Sequence, residues 1–138
     1  MASFVFTNAK VTINSKDLSD HVRSVKINYK GETPENTAMS STGVKTRLPG
    51  LIDWDMDIEF NQDYATDKPD AVLFPLVGAA AFAVSVLPVN TTVSATNPNF
   101  NGNALLADYA PLGGKVGDIA TTSIKLIGTG ALSRTTTP

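Results

Sequence analysis

Four carboxylates alternate with large apolar side chains over residues 51–60, and no other segment concentrates as many groups able to do chemistry. The carboxylates are Asp53, Asp55, Asp57 and Glu59, and the apolar positions are Ile52, Trp54, Met56, Ile58 and Phe60. Paired carboxylates hydrolyse glycosides, and clustered ones bind calcium or magnesium. Along a strand, however, neighbours on one face lie about 7 Å apart, too far to share one small cation without a second segment. The alternation therefore predicts a strand with one buried apolar face and one solvated or channel-lining acidic face.

The single histidine lies in a short polar segment that contains the residue types of a catalytic triad. His21 is preceded by Asp17, Ser19 and Asp20. A working triad brings its members together from separate elements, so adjacency in sequence is not evidence for one. We expect Asp17 and Ser19 to shape a tight turn before a strand.

No further motif indicates catalysis or a bound cofactor. The pairs Gly113-Gly114 and Gly128-Thr129-Gly130 lack the spacing of nucleotide-binding loops and are typical of turns or bulges. The absence of cysteine excludes disulfides, cysteine–zinc sites and thiol catalysis. Trp54 shares the apolar phase of its strand and is expected in the core or an interface. The sequence thus predicts a protein that is not an enzyme and has no cofactor or metal site.

Composition favours one mainly β domain. The chain has 138 residues, of which 42% are hydrophobic and 17% charged, while Thr (16) and Ser (10) supply much of the polarity. A formal net charge of −2 excludes the basic composition of a dedicated nucleic-acid-binding protein. Charge is unevenly spread, with a net +3 over residues 1–50 and a net −6 over residues 51–70.

The chain start lacks the pattern of an export leader. The most apolar window, residues 71–87, is interrupted by Pro75 and Gly78, so it predicts no membrane-spanning helix. We expect a soluble protein made without export and without membrane insertion.

Hydrophobic periodicity predicts six strands and one helix. A strand over residues 22–30 has a basic polar face with Lys26 and Lys30, so we expect it to pair antiparallel with the acidic strand. Further strands are predicted at residues 10–14, 82–87, 103–109 and 121–127, a loop at 90–102 and a frayed tail at 133–138. A short helix at 69–77 has Asp67 as its expected cap and Pro75 as a break. The fold class is a mainly β, antiparallel sandwich or barrel with one short flanking helix.

A long connection over residues 31–50 separates the two central strands. It contains few large apolar residues, namely Met39, Val44 and Leu48, and it predicts either a loop or an extended hairpin arm. So few apolar side chains bury too little surface to offset the conformational entropy lost when the segment becomes ordered. We therefore expect the segment to gain order from a partner subunit.

Several segments together resemble the major tail tube proteins of long-tailed, siphovirus-like bacteriophages. They are DLSDHVRSV at 17–25, GLIDWDMDIEFNQD at 50–63, LFPLVG at 73–78, SATNP at 94–98 and PLGGKVGD at 111–118. The resemblance is collinear over about residues 9–132. It implies a single tail tube domain over residues 1–138, a β-sandwich with a flanking helix that forms stacked, usually hexameric rings.

The resemblance also implies partners and places. Such a tube carries the tape measure protein during assembly and the genome during ejection, so double-stranded DNA passes through it without specific binding. Tail terminator and tip proteins would contact its ends, and the tail would assemble in the host bacterial cytoplasm and remain in the virion. The long connection would reach a neighbouring ring through Glu32, Pro34, Glu35, Met39, Val44, Lys45 and Arg47. The carboxylate row, Asp53, Asp55, Asp57 and Glu59, would line the lumen.

Other functions stay open on the sequence. The alternative closest to the tube is another ring-forming virion component, such as a tail terminator or a head decoration protein. A carbohydrate-binding β-sandwich would need exposed aromatic side chains, and a small hydrolase would need a catalytic set. The lumen-facing orientation also has an alternative, in which the acidic face lies outside the tube or is neutralised by Lys26, Lys30 and neighbouring subunits.

Overall fold

A computed structural model describes residues 3–39 and 43–138. These residues form seven strands, one α-helix and two 3-10 turns. The strands are β1 (Lys10–Ile13), β2 (Lys16–Asp17), β3 (Val22–Gly31), β4 (Ile52–Asn61), β5 (Phe82–Leu87), β6 (Asn99–Tyr109) and β7 (Thr121–Thr135). The helix is α1 (Pro69–Leu73), and the 3-10 turns are Ser19–His21 and Phe74–Leu76.

The strands join in one antiparallel sheet with the order β2-β1-β5-β6-β7-β4-β3. The predicted mainly β, antiparallel class with one short helix is confirmed. Val25 of β3 and Val86 of β5 line one groove although three strands separate them in the hydrogen-bonded order. The sheet must therefore curve strongly to bring the two strands together. Two halves of the same sheet therefore enclose the core.

The predicted pairing of the two central strands is confirmed. β3 and β4 are antiparallel neighbours, with Lys26 opposite Asp57 and Lys30 opposite Asp53. Opposite charges in such positions contribute about 0.2–1 kcal/mol per pair. The two strands therefore form one hairpin, and the long connection joins its two halves.

The apolar phase of β4 supplies the centre of the core. Trp54, Met56, Ile58 and Phe60 are all buried, together with the inward residues of β1, β5, β6 and β7. Ile52 departs from the prediction, because it is 66% exposed at the beginning of β4, before the strand meets β7 at Asp55.

Glycines on two strands make room for the indole of Trp54. A Cβ atom on Gly102 would lie 2.7 Å from the Trp54 ring, and one on Gly128 would lie closer still. The indole nitrogen donates to the carbonyl oxygen of Gly130 at 3.1 Å. The turn or bulge predicted at Gly128–Gly130 is found as an irregularity within β7: the register with β6 shifts between Thr129 and Ser133, where Gly130 has a positive φ of 86°. Gly128 itself is paired within the strand, where only a residue without a side chain fits beneath the ring.

Two predicted boundaries are wrong. β6 begins at Asn99, inside the predicted loop over residues 90–102, and β7 continues to Thr135, inside the predicted frayed tail. The two extensions pair with each other, with Asn99 opposite Thr135 and Asn101 opposite Ser133. Each segment is too polar to indicate a strand alone, and each is held by the ladder hydrogen bonds of its neighbour.

The helical segment is shorter than predicted. α1 ends at Leu73, and a 3-10 turn containing Pro75 continues to Leu76, as expected where proline removes a helix hydrogen bond. Asp67 does not cap it: Lys68 occupies the N-cap position, and Asp67 has a positive φ of 61° and pairs with Lys16 at 3.2 Å. No helix within the described parts of the chain is long and apolar enough to span a membrane.

Candidate functional site

The carboxylate row lies on the face of the sheet opposite the core, between β3 and β7. Asp53 and Asp57 are exposed, Glu59 is half-buried and Asp55 is only 7% exposed. β4 positions all four because strand geometry places alternate residues on one face. The structure thus places the four predicted carboxylates in one row, and their side chains differ in exposure to solvent.

Groups on β3 partly neutralise the row. The Asn28 side-chain amide donates to Asp55 at 2.6 Å and to Asp57 at 3.3 Å, and the Lys30 ammonium lies 3.4 Å from Asp55. The hydrogen bond from Asn28, assisted by the charge of Lys30, lowers the pKa of Asp55 below its ordinary value. Asp55 is therefore a buried, ionised anchor between two strands.

The remaining three carboxylates of the row are more exposed to solvent than Asp55. Arg23 pairs with Glu59 at 3.3 Å, and Lys125 of β7 lies opposite Asp57 in the ladder. Such half-exposed pairs contribute about 0–1 kcal/mol. No three His, Cys, Asp or Glu residues are arranged to hold a metal ion in the described ranges. The row can act as an electrostatic surface and does not form a converging site.

The segment around His21 is a structural clamp between β3 and the connection after β4. The two ring nitrogens of His21 lie 2.8 Å from Asp20 and 2.9 Å from Asp63, and Lys68 pairs with Asp20 at 3.2 Å. The hydrogen bond to Asp20, joined by that to Asp63, raises the pKa of His21. The bond with His21 lowers the pKa of Asp20, and the Ala65 amide followed by His21 lowers that of Asp63.

Ser19 takes no part in a triad. Its hydroxyl is bonded to the Asp17 carboxylate and to the Val11 backbone, and the Asp17 carboxylate also accepts the Ser19 amide at 2.9 Å. The predicted turn at Asp17 and Ser19 is confirmed.

The long connection is an extended hairpin, one of the two forms that its sequence predicted. We call residues 32–51 the arm. Its backbone bonds continue the β3–β4 ladder: Glu32 and Leu51 pair at 2.9 Å, Leu48 and Pro34 at 2.9 Å, and Asn36 and Thr46 at 3.0 Å. Residues 40–42, within the predicted segment, lie outside the described residues.

All described side chains of the arm are exposed. Glu35 lies opposite Arg47 in a β-bridge, and Glu32 and Pro34 stand near the base. Met39 is 105% exposed and Val44 63% exposed, and Lys45 lies beside Val44. In its described residues the arm pairs its backbone between its own two halves, so the expectation that this segment gains its order from a partner subunit is wrong for the backbone. Its described apolar side chains are left without cover.

An apolar groove opens where the two halves of the sheet diverge, and no sequence pattern indicated it. Its volume is about 570 Å³, and its lining includes Val25, Ile27, Val86, Phe100 and Leu132. The signal is dispersed, because these residues come from four strands and each is an ordinary inward position. Only the curvature of the sheet brings them to one opening.

Sequence reasoning also missed the organiser of the β5–β6 connection. Asn97 is 4% exposed, and its side chain accepts the Val89 amide at 3.1 Å and donates to the Val89 carbonyl at 3.0 Å. The Asn-Pro pair at 97–98 was a turn signal that could have marked this position.

No protein-family model matches the chain, and no curated protein matches it. Solved structures do match over nearly its whole length. A chain of the virion of a native gene transfer agent particle superposes with a TM-score of 0.74 at 15% identity, covering 96% of this chain and 99% of that chain. A chain of the sheath/tube terminator of a PVC extracellular contractile injection system gives a TM-score of 0.74 at 13% identity, covering 97% of both chains. A chain of the tail of an empty gene transfer agent particle, computed with C6 symmetry, gives 0.66 at 17% identity, covering 83% and 82%.

The fold is shared with chains of tail and injection-system particles. At these identities the likeness concerns the fold. The sequence resemblance to tail tube proteins agrees with it at this coarser level, but these matches come from gene transfer agents and contractile injection systems and not from siphoviruses.

Proposed function

We propose that this protein is a self-assembling structural component of a phage or phage-like tail, in which hexameric rings stack into a tube. The observation that carries the proposal is the match to tail and tube structures over nearly the full length of both chains. A fold alone does not fix a function, so the surfaces must also suit assembly. The arm does so, because its apolar side chains Met39, Val44 and Leu48 are exposed.

The arm is the proposed contact between rings. An exposed ribbon with Met39, Val44 and Leu48 uncovered gains stability when a second copy covers those side chains, at about 25 cal/mol per Å² of apolar area. Glu32, Pro34, Glu35, Lys45 and Arg47 are its proposed polar and positioning residues.

The carboxylate row is the proposed lumen wall. Asp53, Asp57 and Glu59 would present negative charge to DNA, which carries one charge per roughly 1.7 Å of helix axis, and would discourage adhesion during ejection. Asp55 is held by Asn28 and Lys30 and would contribute mainly to the wall's rigidity. The proposed passengers are the tape measure protein and then the genome; terminator and tip proteins are the proposed partners at the tube ends. The tube would be assembled in the host bacterial cytoplasm and would act in the virion tail, as a non-enzymatic conduit.

Negative-stain electron microscopy of the purified protein tests the proposal. We expect stacked rings with six-fold end views at high protein concentration. Isolated single rings that never stack would favour the alternative, a tail terminator or a head decoration protein. A protein that stays monomeric at every concentration and salt condition contradicts both.

A further inference from the structure

The arm has a counterpart at the opposite end of β4. The loop over residues 110–120 begins after β6 and ends at β7, and the Gln62 amide donates to the Ala120 carbonyl there at 3.0 Å. β4 has ten residues, so the two ends of the strand lie about 30 Å apart. Two surfaces at opposite ends of one molecule can meet only between different copies.

The loop is anchored at its base and exposed along its length. The Gln62 side-chain amide and the Tyr64 hydroxyl donate to the Pro111 carbonyl at 2.7 and 2.8 Å. Beyond this anchor the apolar side chains face solvent: Leu112 is 82%, Val116 103% and Ile119 73% exposed. We call Leu112, Val116 and Ile119, with the neighbouring exposed Tyr64, the end-loop surface.

The arm could bind either at the end-loop surface or in the apolar groove, and charge favours the end-loop surface. Glu35 and Arg47 lie opposite each other, so Lys45 is the one charged residue in the described part of the arm beyond that pair, and it makes the outer part basic. The groove has Arg134 in its lining, which disfavours a basic partner. Exposed Asp108 and Asp118 lie beside and within the end loop, and exposed Lys115 is the one basic residue of that loop, so a basic arm meets a net charge of −1 there.

We propose that the end-loop surface receives the arm of a second copy, with Val44 and Met39 against Val116 and Ile119 and Lys45 near Asp118. The inference rests on the proposed function and specifies its stacking contact. The contact is heterologous, so each copy offers one arm and one end loop. A heterologous contact extends an assembly along one direction when its rotation does not close a ring, and stacking between rings requires that open form.

Because the chain has no cysteine, single cysteines report the contact cleanly. Proteins carrying Val44→Cys and Val116→Cys are mixed, assembled and treated with a bifunctional maleimide. We expect a cross-linked dimer from this mixture that is several-fold more abundant than from Val44→Cys alone. Ser133→Cys, in the groove lining, replaces Val116→Cys as the matched control.

The outcomes distinguish this inference from the proposed function. Tubes in which Val44 cross-links to Ser133, or to Val44 of another copy, overturn the end-loop contact and leave the tube intact. A protein that never assembles overturns both.

A charge exchange adds an independent measurement. Lys45→Glu should raise the protein concentration needed for stacking, and Asp118→Lys in the same chain should restore it toward the original value. Asp108→Lys shows whether a second acid on this end contributes. If the double variant is as defective as the two single changes combined, Lys45 and Asp118 do not face each other.

Discussion

At the residue scale, two side chains organise the molecule more than their types suggested. Trp54 lies over β6 and β7 because Gly102 and Gly128 have no side chains, and His21 bonds its neighbour Asp20 and the distant Asp63. Both arrangements are tight, so small changes should have measurable effects.

Gly128→Ala should lower the free energy of unfolding by about 2–3 kcal/mol, the cost of overpacking a filled core. The new methyl group would overlap the Trp54 ring, which is 1% exposed. Urea denaturation measures the change. Gly31→Ala is the control, since nothing lies within 4 Å of its Cβ position. Equal stabilities for the two variants would mean that the indole has room to shift.

The His21 clamp predicts a stability that depends on pH. The pKa of His21 is raised in the folded protein, so its contribution is fully present below the unfolded value of about 6.5 and is lost as the pH rises through the folded value. The lowered pKa values of Asp20 and Asp63 act oppositely, and their contribution is lost on acidification below about 4. The ammonium of Lys68 also belongs to this cluster and pairs with Asp20 at 3.2 Å.

Urea midpoints between pH 5.5 and 8.5 should therefore fall with rising pH, and Asp63→Asn should flatten the slope. Asp118→Asn, in the exposed end loop, is the matched control and should keep the slope of the unaltered protein. A slope that persists in Asp63→Asn would assign the dependence to another group.

At the scale of elements, the arm is a separate unit built on the β3–β4 hairpin. Its hydrogen bonds run between its own two halves, and its described side chains are all exposed. Folding of the sheet should therefore not depend on it, whereas assembly should.

Deleting residues 34–44 should leave the free energy of unfolding within about 0.5 kcal/mol of the original, because the side chains described in this range, at 34–39 and 43–44, are all exposed. The shortened protein should remain folded by circular dichroism and fail to form long tubes by electron microscopy. As a control, Met39→Ser with Val44→Ser keeps the arm's length and removes its apolar groups, and it should stack weakly. Long tubes from the deletion variant would exclude the arm as the stacking element.

At the scale of the whole molecule, the sheet separates an apolar interior from an acidic outer strip. The strip gives the molecule one face of concentrated negative charge, moderated by Lys26, Lys30 and Lys125 from the flanking strands. In a ring, symmetry would repeat this face, while salt would screen it over about 8 Å. Its direction relative to the tube axis is the central question for the lumen proposal.

Asp57→Cys tests the direction, because Asp57 is exposed in the single chain and the chain has no other cysteine. In assembled tubes we expect a small maleimide to react while a maleimide joined to a polymer wider than the lumen does not. Dissociated subunits should react with both. Val5→Cys, at an exposed N-terminal position, checks that the polymer reagent is active. Full reaction of Asp57→Cys with the wide reagent in tubes would place the row outside.

Charge reversal of the exposed acids should slow ejection. Asp53→Lys with Asp57→Lys keeps the Asn28–Asp55–Lys30 contact but loses the opposite charges facing Lys30 and Lys26, each worth about 0.2–1 kcal/mol, so the subunit should fold with reduced stability. DNA should pass more slowly because the wall attracts it. Asp53→Asn with Asp57→Asn removes the charge alone and should give an intermediate rate in an ejection assay. Unchanged rates in both variants would show that this face does not meet DNA.

The sequence by itself determined the elements with strong local patterns. Strict alternation marked β3 and β4 and their opposite charges marked their pairing, because a period of two assigns each side chain to one face. The resemblance to tail tube proteins likewise depended on short local segments, and the fold likeness agrees with it at a coarser level.

Only the tertiary structure decided what depends on distant partners. The polar ends of β6 and β7 are strands because they pair with each other, Asp55 is buried because β3 covers it, and Gly128 is a packing residue because Trp54 lies on it. The apolar groove exists because the sheet curves. These features arise from contacts between residues far apart in the chain, and such contacts leave no periodic trace in the residues that make them.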